Sequence, residues 1–214
     1  MMTGMKQPHV LLLNGSPHEK GCTYTALEEV ARTLEENGVS TEIIWLGTQP
    51  IAPCTGCMAC GSTKRCIRKD DPVNSILEKA ETADGFIFGS PVHYAAASGQ
   101  ITTLLDRLFF CKGKIFSGKP GAAVVCCRRG GAASAFDQLN KYFTINHMPI
   151  VSSQYWNMVH GSTPEEVQQD EEGLQTMRSL GRNMAWLLKC IELGREHGIP
   201  FPKPEHWIAT NFIR

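Results

Sequence analysis

The sequence predicts an α/β fold in which one five-stranded parallel sheet is doubly wound, with helices on both faces. Short apolar runs alternate with longer amphipathic segments along the 214 residues, which is the pattern of parallel strands joined by helices. Two of the runs end in Gly-Ser-Pro, starting at Gly15 and Gly89. No repeat, low-complexity segment or linker divides the chain. Residues 1–198 are therefore interpreted as one domain, and the Pro-rich residues 199–214 as a C-terminal tail.

Strands are predicted where apolar residues follow one another, and helices where they recur at helical spacing. HVLLLNGS is a buried strand that ends in Gly-Ser, and TYTALEEVARTLEENG is a helix that ends in glycine. STEIIWLG, DGFIFGSP and PGAAVVCC are the next strands in order, and MPIVSSQYW is the last. Helices alternate with them at PVNSILEKAETA, SGQITTLLDRLFF and AASAFDQLNKYFTIN. A polar loop, MVHGSTPEEVQQ, leads into a final helix of roughly 25 residues, about twice the usual length.

Composition excludes several classes of protein. The 21 basic residues balance the 21 acidic residues, so no basic face for nucleic acid is expected. No stretch approaches the roughly 18 apolar residues of a membrane span. The N-terminal apolar run breaks at Asn14-Gly15 and is too short for a secretory signal. Nine cysteines without such a signal predict a cytoplasmic protein, whose clustered thiols are more often ligands or redox groups than disulfides.

Three loops are expected to form a ligand site, because open parallel sheets bind ligands beyond the carboxyl ends of their strands. These loops span residues 16–25, 90–99 and 126–132. The first contains GSPHEKGCTYT, whose backbone N–H groups and hydroxyls suit a phosphate; the alternative is an ordinary turn capped by Thr23. The second contains GSPVHYAAASGQ, where small residues let a flat ligand approach. His93 and Tyr94 either pack on that ligand or are ordinary loop residues.

Together these segments resemble the NADPH-dependent FMN reductase family, within the flavodoxin-like fold, from Val10 to about Phe143. The resemblance rests on GSPHEKGCT, on CTGCMACGSTKRCIRKDD and on ADGFIFGSPVHYAAASGQITTLLDR. It implies that the FMN phosphate lies among a set of loop residues: Ser16, His18, Cys22, Thr23 and Thr25. It implies that the isoalloxazine lies along a second set: Pro91, Val92, His93, Tyr94 and Ala95.

The loop after the fourth predicted strand contains two arginines and two glycines. Gly130 and Gly131 let the backbone turn closely around a ligand edge. Arg128 or Arg129 could place positive charge near the flavin N1–C2 carbonyl, hold the 2′-phosphate of NADPH or a carboxylate of a partner, or remain solvated.

Four cysteines, Cys54, Cys57, Cys60 and Cys66, lie within CTGCMACGSTKRC. The first three follow the C-x2-C-x2-C pattern of bacterial ferredoxins. The stretch also resembles the loop of the iron–sulfur flavoprotein branch, which implies a [4Fe–4S] cluster. Zinc is an alternative to the cluster, although zinc sites usually combine two separated C-x2-C pairs. A further alternative is that the four thiols have only a structural role.

By resemblance, the expected reaction is hydride transfer from NAD(P)H to FMN and then to a flavin, quinone or other acceptor. No catalytic side chain is required, because the flavin carries the chemistry. Two alternatives remain: an electron carrier that uses FMN and a [4Fe–4S] cluster between redox protein partners, and a zinc-stabilised interaction protein without flavin.

A homodimer or homotetramer is expected from the family resemblance and from an apolar stripe on the final helix. The alternative is that this helix is simply buried in the core of one chain. The stripe has eight residues: Leu174, Met177, Leu180, Met184, Leu187, Leu188, Ile191 and Leu193. The tail from Ile199 is predicted to wrap around a partner.

Overall fold

The protein is described by a computed structural model for residues 7–206, 208–210 and 212, and its centre is a parallel sheet. Five strands run parallel in the order β2-β1-β3-β5-β6, and a short β4 pairs antiparallel with β3. The strands are β1 (His9–Asn14), β2 (Ser40–Trp45), β3 (Gly85–His93), β4 (Ala96–Ala97), β5 (Gly121–Cys127) and β6 (Met158–His160). The predicted doubly wound fold is confirmed, with six strands instead of five.

Helices cover both faces of this sheet and bury two separate apolar clusters. The helices are α1 (Cys22–Glu36), α2 (Cys60–Thr63), α3 (Val73–Thr82), α4 (Gly99–Lys112), α5 (Ala132–Ile145), α6 (Pro164–Gln169) and α7 (Glu171–Glu196). Helices α1, α6 and α7 pack on one face, and α3, α4 and α5 pack on the other. Since β1 and β3 are buried on both sides, they are apolar almost throughout.

The last strand was predicted at residues 148–156, and this prediction is wrong. That segment makes only an isolated bridge between Ile150 and Gly121, and the fifth parallel strand is β6. The reason is local hydrogen bonding: the Ser153 hydroxyl lies 2.6 Å from the Tyr155 carbonyl oxygen and 2.7 Å from Asn157 Oδ1. Such side-chain bonds compete with the sheet ladder and turn the chain before it rejoins β5.

Helix α6 lies inside the stretch that the sequence pattern assigned to a polar loop. Thr163 caps it by accepting a hydrogen bond from the Glu166 N–H at 3.3 Å, and Glu166 Oε2 accepts one from the Ser162 N–H at 2.6 Å. Proline occupies its first turn. This Thr-Pro-Glu-Glu start is a capping-box signal that was present in the sequence.

Most of the apolar stripe of helix α7 is buried within the chain. Four of the eight stripe residues are buried against α1 and the sheet, and two are half-buried. Only Ile191 and Leu193 are exposed. The core alternative therefore accounts for most of the stripe, and the homo-oligomer remains a prediction.

The described part of the tail contains neither helix nor strand, and residues 199–206 are exposed. Its contact with a partner stays a prediction, and residues 207, 211, 213 and 214 lie outside the described residues. Among the described helices, none combines the length and hydropathy needed to cross a lipid bilayer.

Candidate functional site

Three loops meet at the carboxyl edge of the sheet, as the sequence predicted. They are named the first loop (residues 15–25), the hairpin loop (residues 91–98) and the arginine loop (residues 128–131). The Ser98 hydroxyl donates to the Gly15 carbonyl at 2.7 Å, which ties the hairpin loop to the first loop. The Ala97 N–H donates to Gln138 Oε1 of α5 at 3.0 Å. The three loops therefore form one continuous surface.

The first loop leads into a helix N-terminus that no side chain caps. Helix α1 has Gly21 as its N-cap, with no side-chain hydrogen bond and no acidic residue in its first turn. Thr23 is inside the helix, so the alternative of a turn capped by Thr23 is wrong. Its hydroxyl is buried and has no hydrogen-bond partner among the described residues. A buried hydroxyl without a partner is costly, and a helix N-terminus favours an anion, so this loop fits a phosphate.

Other predicted members of the phosphate site have partners within the chain. The Ser16 hydroxyl accepts from the His18 N–H at 3.1 Å, which leaves its own proton free to donate. The Thr25 hydroxyl donates to the Gly21 carbonyl at 3.3 Å. The half-buried Cys22 packs against the core instead. There it lies next to Cys126, whose pKa is raised by burial and by the Cys22 thiol. His18 is exposed at the loop surface.

The hairpin loop is strained. His93 pairs with Ala96 across β3 and β4, and the two residues between them, Tyr94 and Ala95, have φ values of 50° and 70°. Such left-handed pairs usually contain Asn or Gly, and each strained residue costs about 1–3 kcal/mol. The side chain of Tyr94 is fully exposed. Strained backbone of this kind clusters at ligand-binding sites, and an exposed ring there is available to pack on a ligand.

The remaining predicted ring contacts lie beside this turn. Pro91 and Val92 are half-buried, whereas His93 and Ala95 are exposed. Beneath them the Ser90 hydroxyl donates to the Pro91 carbonyl at 2.8 Å and accepts from the Ser98 N–H at 2.9 Å. These serine contacts hold the backbone of the loop in place.

The arginine loop packs against the hairpin loop through a glycine. Gly131 has a φ of 86°, and a Cβ there would lie 2.6 Å from the Ala95 Cα. Gly130 faces open space. Arg128 and Arg129 are exposed, and their guanidinium groups have no hydrogen bond or ion pair within the described part of the chain. Both arginines are therefore free to contact a ligand.

We expect Gly131→Ala to destabilise the protein by about 1–3 kcal/mol, because it adds a clash at a left-handed position. It should also weaken ligand binding by moving Ala95. Urea unfolding and flavin titration measure the two effects. Gly130→Ala is the matched control and should change neither quantity by much, since its Cβ meets nothing. Equal effects of the two substitutions would contradict the proposed contact.

The Cys-rich loop (residues 54–66) borders a separate cavity of about 30 Å³. All four predicted ligand cysteines line it, together with Cys111 of α4, which the sequence analysis did not single out. Cys54 and Cys57 are exposed, Cys66 is half-buried, and Cys60 is buried. Among the described residues, no three metal-binding side chains converge closely enough to hold an ion. The structure therefore gathers the four thiols around one cavity without forming a closed coordination site.

Cys111 is a buried thiol on the inner wall of this cavity. Burial, and then the neighbouring Cys60 thiol, raise its pKa to about 12, so it is a neutral thiol at pH 7. The Cys60 thiol lies 3.9 Å from the Phe110 carbonyl oxygen.

A buried arginine also reaches the cavity. Arg107 of α4 donates to Cys66 Sγ at 3.1 Å and to the Ala52 carbonyl at 3.1 Å, and it forms an ion pair with Asp71. Asn74 holds the backbone of Cys66 by accepting from its N–H and donating to its carbonyl, both at 2.9 Å. Sequence reasoning missed Arg107 and Asp71, although an arginine on the apolar face of a helix was a readable signal.

Comparison with known proteins agrees with this geometry. The family description "NADPH-dependent FMN reductase" matches residues 8–163. An iron-sulfur flavoprotein of Methanocaldococcus jannaschii is 34% identical over 191 residues, which cover 86% of this chain and 98% of that protein. An iron-sulfur flavoprotein of Archaeoglobus fulgidus is 30% identical over 191 residues, covering 84% and 97% of the two chains.

Solved structures show the same fold at low identity. The NAD(P)H:quinone oxidoreductase of Methanothermobacter marburgensis superposes with a TM-score of 0.63 at 17% identity, covering 84% of this chain and 98% of that chain. At this identity the likeness establishes the fold alone.

Proposed function

The chain belongs to the NADPH-dependent FMN reductase family, and on that premise we propose that it is a flavin-dependent oxidoreductase. Its FMN would bind across the first loop, the hairpin loop and the arginine loop. The observation that carries this proposal is the buried, unpartnered Thr23 hydroxyl at the uncapped start of α1. A terminal phosphate would supply the missing acceptor, and the backbone N–H groups of the first turn would neutralise part of its charge.

The isoalloxazine would lie along the hairpin loop. The half-buried Pro91 and Val92 offer apolar contact, and Tyr94 offers an exposed ring for packing. Gly131 brings the arginine loop against Ala95, so Arg128 or Arg129 can reach the ring edge. A guanidinium there would stabilise negative charge on a reduced ring. FAD is disfavoured, because the chain has no G-x-G-x-x-G for a pyrophosphate.

When bound, FMN supplies the redox chemistry, accepting a hydride from a reduced nicotinamide and passing electrons to an acceptor. The residues of the chain bind and orient it. The nicotinamide donor is proposed from the family description, and a quinone or a second flavin is the proposed class of acceptor.

We further propose that the Cys-rich loop holds a [4Fe–4S] cluster, as the names of the related proteins suggest. Cys54, Cys57, Cys60 and Cys66 supply the thiol donors that such a cluster requires. Because no three of the described metal-binding side chains converge closely enough to hold an ion, the exposed segment from Cys54 to Met58 would have to move for all four thiols to bind one cluster. When bound, the cluster would supply one-electron transfer. The protein could then take two electrons from a reduced nicotinamide and pass them one at a time to a redox protein partner.

Anaerobic titration with FMN, FAD, NADPH and NADH tests the redox proposal. We expect FMN to bind more tightly than FAD, and NADPH or NADH to bleach the bound flavin. Bleaching by neither nucleotide would assign the protein to the electron carriers, which receive electrons from another protein. Failure to bind either flavin would contradict the proposal as a whole.

We also propose a cytoplasmic location and a homo-oligomer. All nine cysteines are free thiols in the structure, which fits a reducing compartment. Analytical ultracentrifugation at micromolar concentration tests the assembly, with a dimer or tetramer expected and a monomer contradicting it.

A further inference from the structure

Arg107 has an environment that a purely structural ion pair does not need. It is 2% exposed, and two of its guanidinium nitrogens contact the carboxylate of Asp71, whose side chain is also buried. The nitrogen that lies 3.2 Å from Asp71 Oδ1 also donates to Cys66 Sγ at 3.1 Å. One arginine therefore joins a buried carboxylate to one of the four thiols of the Cys-rich loop.

Asp71 and Asn74 hold this arrangement rigidly. Asp71 Oδ1 accepts from the Val73 N–H at 3.2 Å, which fixes the carboxylate at the start of α3. Asn74, one turn further, holds the backbone of Cys66 through two hydrogen bonds. The sulfur of Cys66 is thus positioned from α4, and its backbone from α3. Within the described part of the chain, neither the Cys54 nor the Cys57 side chain makes a hydrogen bond, and both are exposed.

A hydrogen bond to a ligand sulfur has a direct electronic consequence. Reduction potentials of iron–sulfur clusters depend on hydrogen bonds to the sulfurs, on net charge and on solvent exposure. A guanidinium is always protonated and donates in a fixed direction. Its N–H withdraws electron density from the sulfur and stabilises the added electron of the reduced state.

We propose that Arg107 is a positioning residue that orients Cys66 as the fourth ligand of the cluster and raises the reduction potential through an N–H···S hydrogen bond. Asp71 holds the guanidinium in place. This inference rests on the cluster site proposed above and adds to it the residue that sets its potential.

The test is a redox titration of anaerobically reconstituted protein, followed by absorption and electron paramagnetic resonance. Removing Arg107 alone would leave Asp71 buried and unpaired, which destabilises folding. The main variant is therefore the double substitution Arg107→Met with Asp71→Asn, since asparagine keeps an acceptor for the Val73 N–H. Bound FMN per chain reports whether the fold is intact.

In the double variant we expect the equilibrium constant for one-electron reduction of the cluster to fall about tenfold. This corresponds to a reduction potential about 59 mV lower. Arg107→Lys keeps the charge but loses the planar fork, and its potential should lie between those of the double variant and the unaltered protein. Arg65→Gln is the matched control: Arg65 precedes Cys66 directly, but its exposed guanidinium pairs with Glu78 at 2.5 Å. It should leave the potential unchanged.

The outcomes separate this inference from the proposed function. If the unaltered protein takes up no iron and sulfide, the cluster site is wrong and the role of Arg107 falls with it. If all variants carry four irons at equal potentials, only the role of Arg107 is overturned. An equal shift in Arg65→Gln would also overturn it, because Arg65 makes no hydrogen bond to a cysteine sulfur and the effect would then not depend on the N–H···S contact of Arg107.

Discussion

Cys57→Ala is expected to abolish cluster assembly, reducing the iron content from four atoms per chain to nearly none after anaerobic reconstitution. Cys57 is the middle residue of C-x2-C-x2-C and lines the cavity with the other three thiols. A [4Fe–4S] cluster needs four thiolate ligands, and an alanine leaves three from this loop. Iron and sulfide analysis, with absorption near 400 nm, measures the result.

Two further cysteines sharpen this experiment. Cys190→Ala is the control, because Cys190 is exposed on α7 and should leave the iron content unchanged. Cys111→Ala should also retain iron, since Cys111 lies outside the loop on α4. Loss of iron in Cys111→Ala with retention in Cys66→Ala would instead assign the fourth ligand to Cys111. Full iron content in Cys57→Ala would contradict the cluster site.

Thr23→Asp is expected to weaken FMN binding at least about 100-fold. The aspartate places a negative charge against the proposed phosphate, and a pair of like charges at about 4 Å costs several kcal/mol at protein surfaces. Thr23 is buried, so the carboxylate has a desolvation cost, which the free backbone N–H groups at the start of α1 offset in part. Fluorescence titration with FMN measures the affinity, and circular dichroism verifies the fold.

Thr23→Val separates the hydroxyl from the charge. It removes one hydrogen bond to a charged acceptor, which is worth about 1.5–3 kcal/mol, so binding should weaken roughly 10- to 100-fold. Ser62→Asp adds the same charge in the exposed α2, outside the flavin loops, and serves as the control. If Thr23→Asp binds FMN as tightly as Ser62→Asp does, Thr23 is not part of the phosphate site.

Most of the fold could be predicted because its causes are local. The apolar runs of β1, β3 and β5 and the helical spacing between them specify a parallel sheet covered on both faces. The last strand could not be predicted in this way. MPIVSSQYW has the apolar composition of a strand, but hydrogen bonds around Ser153 turn it away from the sheet.

The candidate site, like the fold, could be predicted from the sequence only in part. The sequence by itself determined the α/β fold class, the three loops at the carboxyl edge and the spacing of the four cysteines, because chain order and periodicity encode each of them. Only the tertiary structure decided that Arg107 meets Cys66, 41 positions away, and that Cys111 shares their cavity. Helical periodicity places both side chains on the buried face of α4. What they contact there depends on how α3, α4 and the Cys-rich loop pack together, and no local pattern in the sequence specifies that packing.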